Sequence, residues 1–170
     1  MKLIILGAGG YGQTVADVAE QSGDYEEIHF LDDNSNADNV IGKCADFVKY
    51  KDCAIYPAFG NNQIRLDWMN KLVYGNYQIP TIVHSTAYVS PKVTIESGCV
   101  VLPNAIINTN CMIKKGCIIN CGAIIDHGCI VEECVHICLG AIVKAENRIE
   151  KCSKIEAGDV VEARKFPIWS

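Results

Sequence analysis

Stepping through the chain by six from Val89 meets Val89, Ile95, Val101, Ile107, Ile113, Ile119, Ile125, Val131, Ile137, Val143, Ile149, Ile155 and Val161, an aliphatic β-branched residue every time. Four residues after these, through Ala141, stand Val93, Cys99, Ala105, Cys111, Cys117, Ala123, Cys129, Val135 and Ala141. The series then loosens to Asn147, Ser153, Asp159 and Lys165. A helix repeats every 3.6 residues and a half-buried strand every two, so neither produces this spacing. A hexapeptide repeat does, wound as a left-handed parallel β-helix. Each hexad supplies one face of a triangular coil and points its Val or Ile inward. The second inward site lies near a corner, where only a small side chain fits. Three hexads close a coil, so the repeat makes a little over four coils, a column on the order of 20 Å high at ~4.8 Å per strand spacing. An antiparallel sandwich would need the same spacing thirteen times by coincidence.

The corner sites account for many of the ten cysteines. Cys99, Cys111, Cys117 and Cys129 read as core fillers, because a free thiol behaves as a small hydrophobe. Cys117/Cys121 and Cys134/Cys138 have a C-x3-C spacing but no histidine partners in a zinc pattern, so no metal is expected. At 170 residues and 49% hydrophobic, the chain can build one compact domain or two small ones. A net charge of −5 argues against nucleic acid or an anionic membrane as partner. No apolar run approaches the ~20 residues that span a bilayer. The opening Met1–Leu6 is too short for a signal peptide, which points to a cytoplasmic protein with reduced thiols.

The first eighty residues read as strand, helix, strand, strand, helix: an abbreviated doubly wound α/β unit. The strands are expected at residues 2–6, 28–31 and 54–59. The first helix buries Val15, Val18 and Ala19, and the second carries Ile64, Leu66, Met69 and Leu72. The division is thus 1–83, a Rossmann-like domain, and 84–170, the β-helix. Gly7, Gly9 and Gly12 form G-x-G-x-x-G after a strand, with acids Asp32 and Asp33 about twenty residues on. A dinucleotide needs two such halves and there is room for one, so a single nucleotide fits, its diphosphate at the helix N-terminus. A glycine turn that binds nothing remains the alternative. Asn61, Asn62 and Arg65 can likewise be read as a helix cap with a surface ion pair.

Several motifs in this order, Gly7-Ala8-Gly9-Gly10-Tyr11-Gly12, Leu31-Asp32-Asp33, Gly60-Asn61-Asn62-Gln63-Ile64-Arg65, Ile82-Val83-His84-Ser85 and Asn120 to His127, resemble the sialic acid O-acetyltransferase and nucleotide-aminosugar N-acetyltransferase family. The resemblance implies an acetyl-CoA-dependent sugar acyltransferase working as a homotrimer on a nucleotide-linked amino sugar, UDP-linked by preference. It implies Tyr11, Gly12 and Gln13 at the diphosphate, and Asp32, Asp33, Gly60 and Asn61 around the nucleoside. Many members have histidine in place of Tyr11. It places the general base at His127, an acetyl-CoA contact at His136, and an oxyanion-binding amide at Ala145, where the family usually has glycine. Imidazole titrates near ~6.5 in water, suited to taking a proton from an attacking amine or hydroxyl. His29, in a strand, and His84, at the domain junction, read as structural.

The chain departs from the family twice. Many relatives carry an acid directly after the catalytic histidine, where this chain has Gly128; Asp126 precedes His127 but faces the other way. The chain also stops at Ser170, without the usual C-terminal segment, and Phe166-Pro167-Ile168-Trp169 is placed to cap the column edge. These departures motivate an alternative, a nucleotide-sugar-binding or scaffold protein of the same fold that has lost acyl transfer. A zinc hydratase on the same column would need three converging histidines, and only His127 and His136 lie in the repeat.

Overall fold

The computed structural model describes residues 1–35 and 37–169. Its N-terminal sheet is parallel, built from β1 (Lys2–Leu6), β2 (Glu27–Leu31), β3 (Val40–Gly42) and β4 (Ala54–Pro57) in the order β3-β2-β1-β4. Helix α1 (Gly10–Ser22) joins β1 to β2, and α2 (Asn62–Tyr74) follows β4. The first helix buries Val15, Val18 and Ala19 as its spacing predicts. Strand β3 and a 3-10 helix at Cys44–Lys49 are additions to the sequence reading, and β4 ends two residues earlier than expected. The second helix differs more. Ile64 is 46% exposed, and the inward face is Arg65, Leu66, Met69 and Leu72.

The column begins with β5 (Ile82–Val83), β6 (Tyr88–Val89) and β7 (Thr94–Ile95). The second coil is β8 (Val100–Val101), β9 (Ile106–Ile107) and β10 (Met112–Ile113), and the third is β11 (Ile118–Ile119), β12 (Ile124–Ile125) and β13 (Ile130–Val131). β14 (His136–Ile137), β15 (Ile142–Val143) and β16 (Arg148–Ile149) make the fourth; β17 (Lys154–Ile155) and β18 (Val160–Val161) open a fifth. Parallel pairing of Ile119 with Val101 and Ile137 sets the coil at 18 residues. The first face is β5-β8-β11-β14-β17, the second β6-β9-β12-β15-β18, and the third β7-β10-β13-β16.

All thirteen hexad positions belong to one core cluster, ten of them buried and Val89, Ile95 and Ile155 packed at its ends. The small residues stack at the vertices inside it. Ala105, Ala123 and Ala141 line the vertex between first and second faces, Cys111 and Cys129 the next, and Cys99 and Cys117 the third. Asn147 continues the second of these ladders and is fully buried. Its amide donates to Lys144 O (2.8 Å) and Glu162 O (2.9 Å), and its Oδ1 accepts from the Phe166 amide (2.8 Å), so no polar atom is left bare. The C-terminal tail lies along β16, with Arg148 N donating to Phe166 O (2.7 Å) and Asn147 bridging Pro167 antiparallel. This covers one strand edge of the open end.

The α/β unit sits on the first face. Ile82, Val100 and Ile118 point outward there and are buried in the same cluster as Leu3, Ile5, Phe30 and Tyr56. Helix α2 packs at the third vertex. At Gly116 (φ +71°) a Cβ would meet Cys134 Sγ at 2.6 Å and Met69 Cγ at 3.0 Å, so this turn needs glycine for both backbone and space.

The interior ladder and the exposed helix face make opposite predictions. Ile119→Ala should cost about 2–5 kcal/mol in urea unfolding, as a cavity in a rigid prism. Ile64→Ala should stay within about 0.5 kcal/mol.

Candidate active site

The glycine turn after β1 is shaped by contact. A Cβ on Gly12 would lie 2.0 Å from Gly7 O, so only glycine lets α1 start against the turn. The N-cap residue Gly9 offers no side-chain cap, and the first turn holds no acid, so its amides open toward the C-terminal edge of the sheet as an anion-binding end. Asp32 braces this turn. Its carboxylate accepts from Ala8 N (2.7 Å), Asn34 N (2.7 Å) and Ser35 N (2.8 Å), and these bonds, Ala8 foremost, hold it below the usual carboxylate range. Asp33 is exposed, with Oδ1 accepting from Cys44 N at 3.0 Å. Asp32, Ser35, Val40, Gly42 and Lys43 line a cavity of about 260 Å³ beside the turn.

The other expected nucleotide residues divide. Gln13 is exposed and donates to Ala8 O at 3.2 Å. Gly60 is exposed, and Asn61 Oδ1 caps α2 by accepting from Gln63 N and Ile64 N at 3.0 Å each. Tyr11 turns its side chain inward. Its hydroxyl bonds that of Tyr56 at 2.8 Å, and burial pushes the phenol well above its ordinary value. Its ring packs against the core cluster that holds Tyr56.

His136 stands where the cover of the α/β unit runs out. Outward on the first face, Ile82, Val100 and Ile118 are buried, His136 is half-buried and Lys154 is exposed. Ala8, Tyr11 and Cys121 pack into the cluster that contains Ile118, which brings the glycine turn to the same junction. Asn120 Nδ2 donates to His136 Nε2 at 3.1 Å, so the imidazole proton is on Nδ1. Burial foremost, then the charges of Arg65 and Lys154, pulls this imidazole down to about 4, so it is neutral at physiological pH. His84 is held by Thr86 (2.9 Å) and Gln21 (3.1 Å), and His29 by Glu27 (3.2 Å), both as structural groups.

His127 lies elsewhere. The turn between β12 and β13 puts it at the second vertex, opposite the first face. It is exposed, and its imidazole has no hydrogen-bond partner among the described residues. Ala145 stacks one coil above on the same vertex, where Glu146 N donates to His127 O at 3.1 Å; the Ala145 amide has no acceptor among the described residues. Asp126 accepts from Asn108 Nδ2 (3.1 Å) and from the His127 amide (2.7 Å), which keeps it off the ring. Over Gly128, the place of the missing acid, lies Glu146, its Cγ 3.4 Å from where a Cβ would stand and its carboxylate paired with Arg164. The chain therefore carries two candidate half-sites, His127 with Ala145 at one vertex and the glycine turn with His136 across the column.

Arg65 corrects the sequence reading. It is fully buried, not part of a surface ion pair, and it bonds groups of both domains. One signal was available, since Arg65 precedes Met69 and Leu72 by four and seven residues, on the apolar stripe of α2. No group of three or more metal-ligating side chains converges among the described residues.

Residues 2–72 match the family described as the PglD N-terminal domain. Over 96% of its length the chain is 34% identical to the acetyltransferase domain of PglB from Neisseria gonorrhoeae FA1090, spanning 83% of that chain with a TM-score of 0.92. The same domain is known in complex with acetyl coenzyme A. WeeI from Acinetobacter baumannii AYE matches at 21% identity over 95% of this chain and 81% of its own (TM-score 0.86). A variant of perosamine N-acetyltransferase from Caulobacter crescentus, in complex with CoA and GDP-perosamine, matches at 20% identity over 98% and 90% (TM-score 0.82).

The depressed His136 imidazole makes stability depend on pH. Folding disfavours its protonation, so its contribution is complete above the unfolded value of ~6.5 and is lost as pH falls toward about 4. Urea unfolding at stepped pH across that window should show a steeper acid loss for the wild type than for His136→Asn. Parallel curves would contradict the assignment.

Proposed function

Because this acetyl-CoA-dependent acyltransferase belongs to the nucleotide-aminosugar N-acetyltransferase family of hexapeptide-repeat enzymes, we propose that it acetylates the amino group of a nucleotide-linked sugar, with His127 as general base, in a homotrimer. The observation that carries this is the pairing on one vertex of an imidazole and a backbone amide, His127 and Ala145, neither bonded to the rest of the described chain. The diphosphate is bound at the start of α1 by the amides of Tyr11 and Gly12, with Gln13 beside them, and the nucleoside near Asp32, Asp33, Gly60 and Asn61. His136 contacts acetyl-CoA as a neutral ring. The resemblance favours a UDP-linked sugar, while the Caulobacter relative was captured with GDP-perosamine, so the base is left to a panel of both.

In the reaction, the sugar amine attacks the thioester carbonyl carbon and passes a proton to His127. The Ala145 N–H donates to the oxyanion that develops. Collapse breaks the carbon–sulfur bond, and the imidazolium returns the proton to the departing thiolate. The products are the N-acetylated sugar and coenzyme A.

Assembly is what joins the half-sites. The second face carries an outward apolar ladder, Tyr88, Ile106, Ile124, Ile142 and Val160, with Tyr88 54% and Val160 46% exposed. A cleft between columns lets the second vertex of one copy meet the first-face junction of the next. Ten free cysteines and an acetyl-CoA requirement favour the cytoplasm as its location.

His127→Ala should lower kcat by about 10²–10⁴-fold while UDP and acetyl-CoA still raise the melting temperature progressively as their concentration increases. Undiminished turnover would remove His127 from the mechanism. Ile124→Glu should sediment as a folded monomer and lose turnover although every site residue is retained. A fully active monomer would refute the shared site.

A further inference from the structure

One side-chain pair of α2 grips three successive coils at the third vertex. Arg65 Nε donates to Gly116 O (2.7 Å), Arg65 Nη2 to Cys134 O (2.8 Å), and Asn62 Nδ2 to Cys152 O and Ser153 O (3.0 Å each). Residues 116, 134 and 152 are equivalent positions, one coil apart. The same guanidinium donates through Nη1 to Phe59 O (2.7 Å) and through Nη2 to Asn62 Oδ1 (2.7 Å). It is 0% exposed and pairs with no carboxylate among the described residues. Stability alone does not call for such a group, since a well-packed apolar side chain serves a junction at least as well as a buried charge. What the planar guanidinium adds is fixed geometry between the acceptors it joins.

Those acceptors flank the two parts of the substrate site. Phe59 immediately precedes Gly60 and Asn61, and Cys134 stands two residues before His136. We infer that Arg65, with Asn62, is a positioning residue of the acetyl transfer, setting the span between the loop that holds the nucleotide and the column face that holds the acetyl donor. The inference rests on the function proposed above. Each domain can bind its own ligand without the clamp; the alignment of amine and thioester cannot survive its loss. Arg65 also contributes to keeping His136 neutral, which fits a group that acts through the site and not only through packing.

The test uses the full chain, acetyl-CoA, and UDP- and GDP-linked amino sugars as acceptors. Arg65→Lys retains a charge but presents a compact ammonium that cannot reach all three segments. For the acceptor the wild type prefers, kcat should fall by about 10-fold to 100-fold, the scale of a misplacement near 1 Å. Calorimetric Kd values for the free nucleoside diphosphate and for acetyl-CoA should stay within about threefold, because the nucleotide loop and the column face each stay whole. Should Arg65→Lys not fold, Asn62→Ala carries the same expectation at a smaller size, since it frees the clamp without unpairing the whole guanidinium. Unchanged kcat in a folded variant overturns the inference, as does a fall that tracks a parallel loss of both affinities. A wild type that acetylates no nucleotide-linked sugar overturns the function proposed above, and this inference with it. An active wild type with unaffected variants overturns the inference alone.

Discussion

A prism three strands round can be filled in only one way. Each face admits one aliphatic side chain per coil, each vertex one small one, and the two must return every 18 residues or a gap or a clash runs up the column. That rule does more than stabilise the fold. It places any two residues 18 apart on the same face or vertex, so that surface chemistry comes in vertical pairs. Glu96 with Lys114, Lys115 with Glu133 and then Lys151, and Lys144 with Glu162 are all staples of this kind. Individually they are partly exposed and add little. The same geometry stacks Ala145 over His127, and there it puts a backbone N–H and an exposed imidazole on one vertex.

The α/β unit depends on the column in turn. Its four-stranded sheet is covered on both faces, and on one of them part of the core is supplied by Ile82, Val100 and Ile118. The apolar contact stops at the third coil. Above it the first-face ladder changes from isoleucine to histidine, and the glycine turn, Asn120 and His136 meet at that edge. The substrate site proposed at this boundary has the packed column as one wall. It also lies across the prism from His127, and so the chemistry needs either a long reach or a second column.

The repeat was legible because burial in a prism leaves a periodic trace at every sixth residue. The strand and glycine turn at the start were legible for a similar reason, a short apolar run ending where backbone must approach backbone. Strand β3 was not, because a run of three residues, none of them buried, is too short to show a period. Ile64 and Arg65 exchanged places against ordinary expectation. Hydrophobicity put Ile64 inside and Arg65 outside, but the turn carbonyls of the column offer acceptors that only a donor-rich side chain can satisfy. Asp32 shows the same kind of limit. Its position after β2 marks it for a nucleoside, yet its carboxylate oxygens are already engaged by Ala8, Asn34 and Ser35.

The amino-acid sequence by itself determined the column, its coil length, its small vertices and the start of the nucleotide-type turn, since each depends on residue size and polarity at a regular interval. Only the tertiary structure decided which groups share a site. The separation of His127 from His136 by the width of the prism, the inward turn of Tyr11 and the burial of Arg65 arise from contacts between segments distant in sequence. Such contacts leave no period behind, because the acceptor that captures a side chain is set by where the backbone folds and not by its neighbours in the chain.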